Sequence, residues 1–476
     1  MGRPADALVA AAHAAARPHH RGARERSVAG PAAPARILAL ARRHDPWPLR
    51  PNPAVALGFA SMADTELVSL DRRLVELVTD IRVLGTLSWP IEVIEGFLDG
   101  WRRGDPKLPT PPAARVDSGE RVAALEGFVA AAAGDEPARE FLRDTARSYL
   151  DVLELLAHPA SEAAFRASCR VYGQPREVLH GSMLTHRAAA ERMLEVTEPL
   201  VASTLDRDDA LVYTPEGVAQ VMRERFAEFF GAAAPEVVVD PSLASKAAAS
   251  STRVRLRART PFSSDDLEQL VQHEGFVHTA TQLNGQRQPV LTALGLSAPR
   301  TTAIQEGLAT FAELRTGAMD LHRLRRIALR VVAIDLAIEG ADFIEVFRYF
   351  LDAGQSEAES AQSAARVFRG GDLRGRHVFT KDVVYFRGLI AVHTFLNRAI
   401  AEGRTELIPR LFVGRVTLHD VLRLQPCFEA GQIAAPAFVP PWATQFRSLA
   451  AYLSFSLLLR HVDPGAMDLG ELWDRA

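Results

Sequence analysis

Two short stretches of this chain carry side chains that can do metal chemistry. The first is Val271-Gln272-His273-Glu274-Gly275-Phe276-Val277-His278, and the second is Ile304-Gln305-Glu306-Gly307-Leu308-Ala309. Together they offer two imidazoles, a carboxylate between them and a further carboxylate downstream. Two neutral imidazoles and one carboxylate bind Zn²⁺ and leave a coordination position for water. The metal lowers the pKa of that water to about 7. A free carboxylate beside it can then accept the water's proton. On this reading His273, His278 and Glu306 hold one Zn²⁺ per chain, and Glu274 is the general base.

The spacing makes a structural demand. The common zinc-peptidase pattern has its histidines at i and i+4 on one helical face. Here they stand at i and i+5. Five residues of ideal α-helix turn about 500°, so the second ring would lie roughly 140° from the first. A π-type turn, bonded i to i+5, returns both rings to one face, and such bulges are frequent at functional sites. Gly275 weakens the helix where the distortion is needed.

The flanking sequence predicts the elements that position these groups. Ser263-Ser264-Asp265-Asp266 reads as an N-cap with acids in the first turn. From there the spacing predicts a helix whose face is apolar at Leu267, Leu270 and Val271 and polar at Glu274 and His278, so it runs out of the core into a cleft. Thr301-Thr302 can cap a second helix, buried through Leu308, Phe311, Ala312 and Leu314, with Gly307 permitting close helix approach. Glu313 on that helix is a candidate acceptor for a ligand imidazole.

The set His273-Glu274-x-x-x-His278, Asn284, Gln288-Pro289 and Gln305-Glu306-Gly307-Leu308-Ala309 resembles the bacterial QEGLA-motif proteins of unassigned activity. That family also includes the eukaryotic microtubule-associated tyrosine carboxypeptidases. Phe379-Thr380-Lys381-Asp382-x-x-Tyr385-x-x-Gly388 is similar to a downstream block of the same family, and the resemblance covers roughly residues 65 to 455. It implies a zincin-like metallopeptidase with two His and one Glu on zinc and a Glu base. Tyrosine-tailed tubulin as a substrate is implied by the eukaryotic branch alone.

Further residues are candidates for substrate contact. Of 55 basic residues only Lys107, Lys246 and Lys381 are lysines, so a lysine kept at 381 suggests a wanted ammonium. It can meet a substrate carboxylate or an oxyanion; a surface lysine is the plain alternative. Tyr385 can donate its phenol to an oxyanion, or be a core tyrosine. A carboxypeptidase needs a fixed cation for the terminal carboxylate, and the Arg366–Arg376 segment offers several, of which Arg369 is the choice. A solvated basic loop is the alternative. Asn284 and Arg287, just past the metal helix, can also touch substrate. Asp382 reads as structural, and His180, His186, His377 and His393 have no ligand spacing.

Composition bounds the rest. The chain has 476 residues, 48% hydrophobic and 24% charged, which suits a globular protein. A net charge of −3 argues against a nucleic-acid partner. Two distant cysteines, Cys169 and Cys427, make no disulfide framework and suit a reducing cytoplasm. No apolar run reaches the roughly 20 residues that span a membrane, and Leu449–Leu459 reads as a buried helix.

The expected fold is α+β and predominantly helical, zincin-like, with a small mixed sheet before the metal-binding helix. Residues 1–60 read as a disordered Ala/Arg/Pro-rich tail with a short helix near Ala5–Ala16, and residues 61–200 as a helical region. Residues 201–476 read as the catalytic region, with the sheet at 235–260, metal helices at 264–315 and a helical part at 320–476. In the helical region, Leu67, Leu70, Leu74, Leu77, Ile81 and Leu84 form one stripe, and Val178–Leu194 continues the helical pattern. Val237–Val239 and the strictly alternating Thr252–Arg259 read as strands, and an edge strand there can pair with an extended peptide. The expected function is a zinc carboxypeptidase acting on the C-terminus of a peptide or protein. An amidase or aminopeptidase on the same metal, or a regulatory protein with a structural zinc, are the alternatives. Glu274 favours the enzyme, since a structural zinc has no use for a free carboxylate beside it.

Overall fold

Apolar residues recur at helical spacing through most of the chain, and helices follow from that pattern. The computed structural model describes residues 62–112, 116–204, 212–241, 243 and 246–459. They belong to one unit, Ala54–Ala476. The 1–60 tail, with the helix expected near Ala5–Ala16, lies outside the described residues. The N-terminal helices are α1 (Met62–Val78), α2 (Ile91–Arg102), α3 (Gly119–Ala131), α4 (Pro137–Ala157), α5 (Glu162–Tyr172) and α6 (His186–Thr204). Two expectations are corrected here. The leucine stripe does not run on in one helix: α1 stops at Val78, and Leu84 lies 39% exposed in a separate short helix, Val83–Leu87. Val178 is not helical either. It bridges to Thr185 across a turn in which Gly181 has a positive φ, and α6 starts only at His186.

The α/β part begins with α7 (Pro215–Phe230), capped by the Thr214 side chain with proline in its first turn. Strands β1 (Glu236–Asp240), β2 (Ala247–Ala249) and β3 (Arg253–Arg257) form a mixed sheet in the order β1-β3-β2. β1 runs parallel to β3 and β2 antiparallel to it. β3 alternates as its sequence demands: Val254 and Leu256 are buried, while Arg253 and Arg255 turn outward to pair with Glu236 and Asp240. β3 is central, so the sheet's edges are β1 and β2. Three alanines carry no alternating signal, which hid β2 from the sequence.

Helix α8 follows in three segments: α-helical over Ser264–Leu270, π-helical over Val271–Thr279, and α-helical again over Ala280–Gln286. Ser263 and Asp266 cap it reciprocally. Its apolar face buries Leu270, Val271 and Phe276 against Phe226 and Phe230 of α7 and Val254 and Leu256 of the sheet. After it come α9 (Thr302–Thr316), α10 (Leu321–Glu339), α11 (Phe343–Asp352), α12 (Glu357–Phe368), α13 (Val383–Ala401) and α14 (Phe446–Leu459). Thr301 stands at the N-cap of α9, but its hydroxyl donates to Ala298 O instead of capping. Leu308, Phe311 and Ala312 are buried as their spacing requires. α14 buries Leu449 and Leu453 but leaves Phe455 and Leu458 exposed, so it is a half-buried helix.

The crossing of α9 and α13 positions the chemistry. A Cβ on Gly307 would lie 2.2 Å from the Gly388 carbonyl carbon, and one on Gly388 would lie 1.9 Å from Ala303 O. Only glycine at both positions lets the backbones meet. That contact brings Glu306 of α9 next to the start of α13, where Lys381 and Tyr385 sit. No helix among the described residues is long and apolar enough to cross a membrane.

Candidate active site

The π-helical segment spans the histidine motif, as the i, i+5 spacing requires. The Thr279 hydroxyl donates to Glu274 O, five residues back, at 2.8 Å. His273 and His278 thereby share a face, with ring centroids 4.6 Å apart and planes at 89°. Gly275 has a different task from the one its flexibility suggested. A Cβ there would lie 2.2 Å from Cε1 of the buried Phe226 ring. The glycine lets the motif press onto α7.

Across from the histidines stands Glu306. Its Oε2 is 3.4 Å from His273 Nε2 and 3.7 Å from His278 Nε2. These separations exceed the roughly 2.7–2.9 Å of a charge-assisted hydrogen bond. Oε2 is buried without a hydrogen-bond partner. One nitrogen from each ring and one Glu306 oxygen lie within 4.8 Å of one another, the only such His/Cys/Asp/Glu group among the described residues. Tetrahedral zinc with bonds of about 2.0–2.1 Å separates its ligands by about 3.3–3.4 Å. The donor set and the orphaned oxygen therefore fit zinc.

The surrounding groups set the charge of these side chains. Burial opposes charge on His273, yet contacts with Glu306 and Glu313 raise its pKa well above the ordinary value. Glu313 accepts from His273 Nδ1 at 2.6 Å, which leaves Nε2 free to face the metal position. Arg323 grips Glu313 through two bonds of 3.1 Å. Burial pushes the Glu313 carboxyl up, but Arg323 and His273 together hold it down at about 2. Among the described residues the Nδ1 of His278 has no hydrogen-bond partner. Glu274 is half-buried, and no hydrogen bond or ion pair fixes its carboxylate among the described residues.

Lys381 was expected to meet a substrate carboxylate or an oxyanion, and in the structure it is paired with Glu306. Its ammonium is buried and lies 3.0 Å from Glu306 Oε1. Burial works against that charge, and Glu306 more than compensates, raising the Lys381 pKa. Lys381 in turn is the main influence that holds Glu306 well below the carboxylate range despite burial. The other Glu306 oxygen, Oε2, is thus left facing the two histidines. Next to it, the Tyr385 ring lies within 6 Å of four cations: Lys381 at 5.1 Å, Arg330 at 5.5 Å, and Arg323 and Arg366 at 5.9 Å. Its hydroxyl is 3.4 Å from Arg366 Nη2. Asp382 is structural, as expected, and is gripped by Arg366 with one bond of 2.8 Å.

The remaining candidates divide. Asn284 is not available to substrate. Its amide nitrogen donates to Phe412 O and Phe438 O, and its oxygen accepts from Ala437 N and Phe438 N. Gln288 staples the same segment through Val413 O and Ala434. Arg287 is exposed, 4.9 Å from the Phe438 ring centroid, with no hydrogen bond to the metal group. Arg369 is half-buried near Arg366, Asp382 and Tyr385. Arg323, Arg330 and Arg415 are the neighbours that sequence reasoning missed. Arg415 donates to His278 O and Ser297 Oγ from over a hundred residues away, and no local spacing announces it. Two cavities of about 310 Å³ are lined by other residues, one around Phe97 and Arg103 and one around Arg170 and Arg300. The site is identified by its donor atoms, not by volume.

With this geometry in place, the chain can be compared with known proteins. The family model described as microtubule-associated tyrosine carboxypeptidase matches residues 95–461. No curated protein matches the chain.

Proposed function

The chain belongs to the microtubule-associated tyrosine carboxypeptidase family, which implies a carboxypeptidase-like activity on a peptide or protein, and we propose that it is a zinc-dependent, zincin-like carboxypeptidase. The observation that carries this reading is the convergence of His273, His278 and Glu306 across a π-helical turn, with the unpaired Glu274 carboxylate inside that turn. Bound by those three residues, zinc would supply a water of pKa about 7 and polarise the scissile carbonyl. Glu274 takes the proton of the attacking water and passes it to the leaving amine nitrogen. Tyr385 donates its phenolic hydrogen to the oxygen that gains charge at the scissile carbon. Glu313 and Arg323 fix His273, and Lys381 fixes Glu306, so neither ligand has to reorganise during turnover. Two free cysteines, Cys169 and the buried Cys427, suit a reducing compartment such as the cytoplasm.

The test is a library of peptides incubated with the zinc-loaded protein, read by mass spectrometry. Loss of single residues from the C-terminus is expected. Internal or N-terminal cleavage would replace the carboxypeptidase with an endopeptidase or aminopeptidase on the same metal.

A further inference from the structure

Five cations stand around Tyr385, and three of them are spoken for. Arg323 is bonded twice to Glu313, Arg366 to Asp382, and Lys381 to Glu306. Arg330 and Arg369 are different. Among the described residues neither guanidinium makes a hydrogen bond. Arg330 is 8% exposed, and its Nε is buried without a hydrogen-bond partner. Its nearest carboxylate is Asp382, at 3.5 Å, which Arg366 already holds. Burial and the neighbouring Arg366 push Arg330 down to about 9, and the same two causes push Arg369 down to about 10. Both groups are short of negative charge. A buried guanidinium left without an acceptor is costly to fold around, so its neighbourhood suits a ligand that brings the acceptor.

We propose that Arg330, assisted by Arg369, is the anchor for the substrate's terminal carboxylate. The inference rests on the carboxypeptidase reading and deepens it by naming the residues that select a free C-terminus. Arg330 lies 5.5 Å from the Tyr385 ring, and Tyr385 stands beside the Lys381–Glu306 pair. A guanidinium donates to both carboxylate oxygens in one plane, which a lysine cannot do. Arg415 also has a buried Nε without a hydrogen-bond partner among the described residues, but both its Nη atoms are already bonded, to Ser297 Oγ and His278 O, whereas Arg330 has no hydrogen bond at all.

The experiment measures binding separately from turnover. An N-acetylated tripeptide ending in tyrosine, as free acid and as C-terminal amide, is titrated calorimetrically into zinc-loaded protein carrying Glu274→Gln. The free acid is expected to bind at least tenfold more tightly. Adding Arg330→Gln should erase most of that preference, Arg330→Lys should restore part of it, and Arg369→Gln should reduce it by a smaller factor. Zinc content should be unchanged in all three. Because Arg369 is half-buried, its variant keeps the test open should the Arg330 variants fold poorly. Equal binding of acid and amide overturns the anchor. A preference that survives both Arg330→Gln and Arg369→Gln also overturns it, while leaving the peptidase reading intact. A preference that depends on Arg330 in a protein whose Glu274 form never hydrolyses any peptide upholds the anchor and fails the peptidase reading.

Discussion

The two sides of the metal position are built in opposite ways. Helix α8 gives His273, Glu274 and His278 from one stretch of six residues, held in a π-helical turn. The facing side is assembled from α9, α10, α12 and the residues leading into α13, whose Glu306, Glu313, Arg323, Arg366 and Lys381 meet only in three dimensions. The α8 side presents donor atoms and few charges. The facing side presents carboxylates, each compensated by its own cation. Ligand spacing is a local property of one helix, whereas ligand orientation is a property of distant groups that neutralise one another.

Variants on the two sides sharpen this contrast, and the ligands come first. His273→Ala, His278→Ala or Glu306→Ala each removes one of the three proposed ligands and should abolish stoichiometric zinc binding. Elemental analysis checks this, and full zinc in all three variants would break the assignment. Removing the orienting carboxylate should do less. Glu313→Gln keeps the shape but gives up the charge facing His273 and Arg323, and should weaken zinc affinity about 10–100-fold, as measured by chelator competition. His278 has no corresponding partner on Nδ1, so the outer support of the two histidines is unequal. The smallest effect is expected on the α8 side. Gly275→Ala drives a methyl into Phe226 and should cost about 1–3 kcal/mol of stability in denaturant unfolding. Shrinking the ring with Phe226→Leu should relieve part of that cost in the double variant.

The sequence was readable where chemistry and structure are local. The histidine spacing demanded a π-type turn, and the turn is there. The Ser263 cap, the Thr214-Pro215 start of α7 and the alternation of β3 all have their sequence signals within a few residues. What the sequence hid depends on tertiary partners. Gly275 looked like a helix breaker until Phe226 was seen above it. Asn284 looked free to touch substrate, but it is consumed by backbone groups more than a hundred residues on. Lys381 looked like a substrate anchor because its rarity marks it, while its partner Glu306 lies on another helix. Arg330 carries no signal at all, being one arginine of a helix with several.

The most direct test of the account is peptide hydrolysis by zinc-loaded wild-type protein and by Glu274→Gln, with zinc content measured on the same samples. The amide keeps the shape of the side chain but cannot accept the water's proton. The account predicts equal zinc and a rate lowered by about 10²–10⁴-fold. A Glu274→Gln protein with full zinc and more than about a tenth of wild-type turnover would contradict it, since a general base contributes far more than that.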